Sequence, residues 1–352
     1  MQEYIDKHRN TQIYLLDFID IIDASIINDH PIFSIIQNLI SDGDKLEITS
    51  FITLIINISN YKHRRHYFFD HIDQILLLLK DKIMQLYSNL EIFNLFKNNN
   101  RILHFIIVNH FLIQDDLIDT ILSTDKNHYE FERIFKMTEF DNGLKSGENQ
   151  REICQIIRKD SIQEFTVFEN LSGINLSGYK INSTFDETNK FLLKKKKVSL
   201  IEYATFFGSL KIIQYLVHNK VELNSSLWFF AIYSNNAKVI RYLEEKGIFP
   251  DNSMAKDLYY ESIKSFDTQM TDYIRNNYFN ESDSKISFQD YCCCFKCHNY
   301  VFFPERIDNN SAFCALCKYN LNGLARLLLN NCKFDINQKV VVEKTKIQYY
   351  NV

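Results

Sequence analysis

The sequence predicts an all-α fold, a solenoid of helix–turn–helix units joined by short hairpins or finger loops. Three observations predict it. Gly and Pro are scarce, 8 and 3 in 352 residues, too few to turn the many hairpins of a β-sandwich or barrel. Hydrophobic residues make up 46% of the chain, which places it among folded rather than disordered proteins. One pattern also recurs along the chain: a capped amphipathic helix, a turn residue and a second aliphatic helix. Such recurrence marks a repeat architecture.

The clearest unit is SLIEYATFFGSLKIIQYLV, Ser199 to Val217. Ser199 and Glu202 have the spacing of a capping box. Ile201, Ala204 and Thr205 then fall on one helical face, and Gly208 tolerates the left-handed conformation that ends a helix. Leu210, Ile212, Ile213, Leu216 and Val217 make the apolar stripe of the second helix. The next unit runs from Ser226 to Gly247. Ala231 corresponds to Ala204, and at the same offset Asn235 replaces Gly208. Val239, Ile240 and Leu243 match Ile212, Ile213 and Leu216. Trp228 takes an inward-facing position as core filling, with part of Phe229-Phe230 directed to the concave face. A third copy runs from Ser311 to Asn331 and aligns Ser311 with Ser199 and Leu328 with Leu216. It places Asn320 in the turn and Leu324, Leu327 and Leu328 on the second helix. Weaker copies are Ile156–Phe168 with Asp160 in the turn, Tyr260–Ile274 with Ser265, and Leu95–Ile107 with Asn98.

Residues 1–90 read as a helical N-terminal region, either a cap or decayed repeats. Helices are expected over Tyr4–Ile27, Ile32–Leu39, Leu46–Ile58 and Phe68–Leu90. Their breaks fall at Asp29-His30-Pro31, Ser41 to Asp44 and Asn60 to His63. Residues 91–150 read as degenerate repeats, 151–339 as full repeats and 340–352 as a tail. Spacing is irregular, and the extra length from Gly173 to Val198 reads as an elongated finger loop.

The central unit resembles the ankyrin repeat, whose consensus T-P-L-H-x-A-A-x-x-G precedes an aliphatic second helix. Ser199 stands at the Thr, Leu200 at the Pro, Ile201 at the Leu and Glu202 at the His. Ala204 and Thr205 stand at the Ala pair and Gly208 at the Gly. Lys333-Phe334-Asp335-Ile336-Asn337 resembles the ankyrin hairpin G-A-D-x-N, with Val221–Asn224 and Gly247–Asp251 as looser versions. The set is similar to divergent ankyrin proteins of protists. No unit keeps the consensus Pro or His, which removes that preset turn geometry. The resemblance implies a concave face and finger loops that bind a protein partner through a few anchors.

Composition narrows the alternatives. A net charge of -4 offers no surplus of cations for a phosphate backbone, so no nucleic-acid partner is expected. The apolar runs Phe51–Ile58 and Ile75–Leu79 fall far short of the ~20 residues of a membrane helix. The first residues are acidic and polar where a signal peptide is basic and then apolar. The expectation is a monomeric cytoplasmic or nuclear protein whose 8 Cys are mostly reduced.

Cys294-x-x-Cys297 and Cys314-x-x-Cys317 have the spacing of a four-thiolate zinc site. The repeat register argues for the other reading. It puts Cys317 at the buried second Ala position and Cys314 at the consensus His, and assigns Cys292 and Cys293 to an Ala pair capped from Ser287. Buried free cysteines act as small hydrophobes, and no metal or cofactor is expected. Lys194 to Lys197 read as a solvated loop, or else as a contact for an acidic partner or a nuclear-import signal. His63-Arg64-Arg65-His66 reads as a turn or a basic–aromatic patch. Asp17/Asp20/Asp23 and Asp115/Asp116/Asp119 read as solvated helix faces. No P-loop, G-x-G-x-x-G, G-x-S-x-G or H-E-x-x-H motif occurs, so a binding protein is expected rather than an enzyme.

Overall fold

The computed structural model describes residues 2–21, 29–62, 67–112, 133–134, 142–278, 288–303, 309–319, 321, 325–326 and 328–329. These residues are mostly helical, with one short strand pair. Among them no helix is long and apolar enough to cross a membrane. The chain divides into two compact units, one of residues 14–279 and one of residues 1–13 with 280–352.

The larger unit begins with the second part of α1 (Gln2–Ile19), then α2 (Pro31–Ser41), α3 (Lys45–Tyr61) and α4 (Phe68–Leu86). His30 caps α2 with Pro31 at its first turn, and Asp44 caps α3 by accepting from the Glu47 amide. A helix uninterrupted from Phe68 to Leu90 is not what forms. The chain breaks at Tyr87-Ser88, where Ser88 and Glu91 close a capping box that starts α5 (Asn89–Phe96). The local cap outcompetes the continuing apolar pattern. Asn99 caps α6 (Asn100–Val108), whose Ile102, Leu103 and Ile106 are buried as expected. Then comes the short α7 (Asn142–Ser146).

Four helix pairs follow. They are α8 (Glu152–Arg158) with α9 (Ile162–Ser172), α11 (Leu200–Phe206) with α12 (Leu210–His218), α13 (Trp228–Ala231) with α14 (Ala237–Glu245), and α15 (Ala255–Lys264) with α16 (Thr268–Tyr278). Between the first two lie β1 (Lys180–Asn182), α10 (Lys190–Lys195) and β2 (Lys197–Ser199). First helices pack on first helices, α8 on α11, α11 on α13 and α13 on α15, and α9 packs on α12.

The same joint recurs inside the pairs. Each inner turn holds one left-handed residue: Asp160 at φ 51°, Gly208 at 72°, Asn235 at 47° and Phe266 at 57°. Three second helices end on another: Gly173 at 61°, Lys220 at 63° and Gly247 at 71°. Amides that follow such residues reach back along the helix, Ser209 to the Ala204 carbonyl (2.9 Å), Val221 to Leu216 (3.0 Å) and Ile248 to Leu243 (2.9 Å). They satisfy carbonyls a helix end would otherwise leave open. The left-handed residue of the last pair is Phe266 and not Ser265, because Asp267 caps α16 by accepting from the Met270 amide at 2.9 Å.

Adjacent inner turns are bonded to one another. Ser209 Oγ donates to the Ile157 carbonyl at 2.6 Å, and Asn236 Nδ2 donates to the Gly208 carbonyl at 2.8 Å. The Asp160 carboxylate accepts the amides of Lys211 (3.2 Å) and Ile212 (3.0 Å), capping α12 from the neighbouring pair.

The expected core positions are buried: Ile201, Ala204, Ile212, Ile213, Leu216, Trp228, Ala231, Val239, Ile240, Leu243 and Leu328. Leu324 and Leu327 lie outside the described residues. Trp228 donates its Nε1 hydrogen to the Ile248 carbonyl at 3.0 Å. Phe230 is buried rather than directed to a surface, and Phe229 is half-buried. The first helix of that pair is only a 3-10 turn (Ser225–Leu227) and four further residues. Hairpins at Val221–Asn224 and Gly247–Asp251 do not form strands.

In the smaller unit α17 (Phe288–Cys297) packs on α18 (Asn309–Lys318). Ile5 shares a core with Tyr291, Phe295 and Tyr300. Gln12 is fully buried; its Nε2 donates to Asn299 Oδ1 at 2.7 Å and its Oε1 accepts the Tyr300 amide at 2.8 Å.

Candidate interaction surfaces

The finger between α9 and α11 is more ordered than a solvated loop. β1 and β2 are antiparallel, with Ile181 opposite Val198, Asn182 opposite Lys197 and Lys180 opposite Ser199. Ile181 and Val198 are buried, so Lys180 and Lys197 share the outward face. Asn189 caps α10 by accepting the amides of Phe191 and Leu192, and both of those side chains are buried. Lys194 to Lys197 are all exposed. Lys195 Nζ lies 5.5 Å from the ring centre of Phe191 and 5.6 Å from that of Phe230. Lys196 turns the chain from α10 into β2 at φ 61°.

A second surface is an open groove of about 520 Å³ on α8 and α9, lined by Ile156, Val167, Phe168 and Leu171 with Glu152 and Glu164. Leu171 is 84% exposed and Val167 57%, the two highest values among the large exposed apolar side chains described. They stand four residues apart and so on one helical face. On the opposite side α8 and α9 are covered by α11 and α12.

The cysteines divide by position. Cys292, Cys293, Cys294 and Cys297 are buried, while Cys314 and Cys317 are exposed. The expectation that Cys317 fills a buried slot is therefore corrected. α18 turns Ala312, Ala315 and Leu316 inward, and Cys317 lies one step further round the helix, whereas Thr205 at the matching position is buried. Cys294 Sγ donates to the Phe302 carbonyl at 3.3 Å, and burial pushes its thiol well above the ordinary range. Among the described residues no three His, Cys, Asp or Glu side chains are grouped to hold a metal ion.

Cys154 lies in the core beside Tyr203, whose hydroxyl accepts from Arg158 at 3.0 Å. Burial pushes the Cys154 thiol up to about 11, which keeps it protonated and unreactive at neutral pH. Two imidazoles in the smaller unit are not singled out by the sequence. His8 and His298 flank Tyr300, with ring centroids 5.4 and 6.0 Å from it. Burial lowers both to about 4. Among the described residues His8 Nε2, His298 Nδ1 and the Tyr300 hydroxyl have no hydrogen-bond partner. The two histidines stand far apart in the chain, which leaves no local motif by which to find them.

Asp17 is exposed, and Asp20 pairs with Lys62 at 3.1 Å. Asp23, His63 to His66, the Asp115/Asp116/Asp119 cluster, Ser287, Asn320, Lys333 to Asn337 and the 340–352 tail lie outside the described residues.

No family model, curated protein or solved structure matches this chain.

Proposed function

We propose that this chain is an ankyrin-type repeat protein that works without catalysis, as a scaffold or adaptor for another protein in the cytosol or nucleus. The observation that carries the reading is the set of hydrogen bonds between neighbouring inner turns, from Ile157 through Ser209 and Gly208 to Asn236. Bonds of this kind recur where one supersecondary unit is laid against the next, and each unit then hides its neighbour's apolar face. The step from such a stack to protein binding is one of fold-level analogy.

The groove on α8 and α9 supports the same reading. Its aliphatic side chains occupy the kind of face that other pairs cover with a neighbour. A protein anchor inserted there would bury Val167 and Leu171, worth about 1.5–3 kcal/mol for each side chain fully removed from water.

Proximity labelling with the full chain in its native cell tests this, beside a Val167→Asp/Leu171→Asp variant shown by circular dichroism to keep its helix content. The expected outcome is a small set of proteins captured by the unaltered chain and lost with the variant. Identical capture by both removes the groove from the proposal. An experimental structure in which α8, α11 and α13 do not lie side by side removes the scaffold itself.

A further inference from the structure

From Ile174 to Val198 the sequence holds six lysines against one aspartate and one glutamate, a surplus of four positive charges within a chain whose net charge is -4. The only glutamate of that stretch, Glu187, is buried. Lys180, Lys194, Lys195, Lys196 and Lys197 are exposed, and none forms an ion pair with a carboxylate among the described residues. Several lysines elsewhere are matched: Lys45 with Glu91, Lys159 with Glu164 and Lys264 with Glu261. Like charges held this close repel, and the repulsion is relieved when an anion lies across them.

The cluster is also held in place. Phe191 and Leu192 anchor α10 in the core, and the Ser183 amide donates to the Lys196 carbonyl at 2.8 Å. Lys180 and Lys197 project from one face of the strand pair. Lys194 and Lys195 sit in the last turn of α10, where the helix end offsets part of their charge. A preset backbone loses less conformational entropy on binding than a free loop.

We infer that the β1–α10–β2 finger is a docking site for an acidic protein segment, one rich in Asp and Glu, whose carboxylates lie across Lys180 and Lys194 to Lys197. This deepens the scaffold reading, on which it rests, by naming the chemistry of one partner. Two other anionic occupants fit the surroundings less well. Single-stranded nucleic acid binds through rings on which bases stack, and the rings beneath these lysines, Phe191 and Phe230, are buried. Interfacial membrane elements add exposed apolar side chains that enter the lipid, and of the apolar residues of this element Ile181, Phe191, Leu192 and Val198 are buried and Phe185 and Leu193 half-buried.

The test uses the full chain and a fluorescein-labelled peptide of about eight glutamates, followed by fluorescence anisotropy at low salt. Two triple variants are compared. Lys194→Gln/Lys195→Gln/Lys197→Gln neutralises the finger, and Lys211→Gln/Lys220→Gln/Lys238→Gln removes equal charge from α12, its C-terminal turn and α14. The expected result is saturable one-to-one binding that salt weakens, reduced about tenfold by the finger variant and less than about twofold by the control. Equal losses in both variants overturn the inference, since diffuse charge would then suffice. So does the absence of binding, or tighter binding to phosphatidylserine vesicles or to an oligouridylate than to the peptide. Failure of this test with retained, groove-dependent capture in the labelling experiment leaves the scaffold reading standing. Loss of groove-dependent capture with intact finger binding removes the groove and leaves the finger inference standing.

Discussion

At Gly208 the backbone stands at φ 72°, and a Cβ placed there would lie 2.9 Å from the Ser234 carbonyl oxygen and 3.0 Å from Asn236 Cβ. Both contacts belong to the next inner turn, so the strain of a left-handed side chain and the lateral clash fall on one joint. Gly208→Ala is expected to cost about 1–3 kcal/mol, read as a lower midpoint in urea unfolding. A variant as stable as the parent would show that the joint tolerates a side chain. Asp160, Asn235 and Phe266 accept the same backbone region without glycine. Asp and Asn do so at modest cost. Phe266 is held there by its burial in the core that also contains Phe96 and Phe111. At this scale the sequence is legible where chemistry is specific. Ser199, Glu202 and Gly208 announce their cap and turn, and Asn235 follows by likeness. Phe266 gives no such signal, because a bulky aromatic in a left-handed turn is dictated by tertiary packing and not by local preference.

Among elements, the turn after α17 and the start of α1 are joined by Gln12 and also by Arg9, whose Nε donates to the Tyr300 carbonyl at 3.1 Å. His8 and His298 are buried within this contact, with Lys7 adding repulsion to His8 and each imidazole facing Tyr300. Desolvation is the main cause of both shifts. The folded pKa values, about 4, lie below the unfolded value of 6.5. The unfolded chain therefore binds more protons between these limits. The stabilisation from burying neutral imidazoles is full above pH 6.5 and is lost as pH falls toward 4. At about 1.4 kcal/mol per pKa unit, the loss is about 3–4 kcal/mol for each imidazole. Protection factors of residues 2–13, taken relative to an intrinsic exchange rate that itself falls with pH, should drop between pH 7.5 and 5, and His298→Gln should flatten that dependence. Protection that ignores pH, or that ignores the substitution, would sink the prediction. None of this is legible in the sequence, since His8 and His298 stand near opposite ends of the chain and only folding brings them to one ring. The finger shows a different limit. Its lysines read as a loop because period-2 patterning is too short in Lys180–Asn182 and Lys197–Ser199 to stand out.

Across the larger unit, the repeat reading implies that neighbouring pairs share their stability. Leu216 is fully buried in α12, which packs on both α9 and α11. Leu216→Ala is expected to cost about 2–5 kcal/mol through the cavity it leaves. Because that cavity is shared, amide protection should fall in α9 and α11 as well as in α12; a loss confined to α12 would argue that the pairs fold independently. Helical content and the core stripe are readable from periodicity, while the copies read as starting at Ile156 and Tyr260 begin earlier, at Glu152 and Ala255. The stretch before Leu112 is readable as helices, yet the Ser88 cap is hidden inside an apolar run that points to one long helix. The zinc-like cysteine spacing carries no information about orientation around α17 and α18, and the structure separates Cys294 and Cys297 from Cys314 and Cys317 by exposure.

The bonds between successive inner turns have a consequence for how such a chain can change length. They tie the first inner turn to the second and the second to the third, while the length of chain from one inner turn to the next varies. It is longest from Asp160 to Gly208, shorter from Asn235 to Phe266 and shortest from Gly208 to Asn235. If the repeat reading holds, the β1–α10–β2 finger is extra chain carried between two tied turns, like a wide page sewn to a common binding, and shortening it should leave the bond from Asn236 to Gly208 in place.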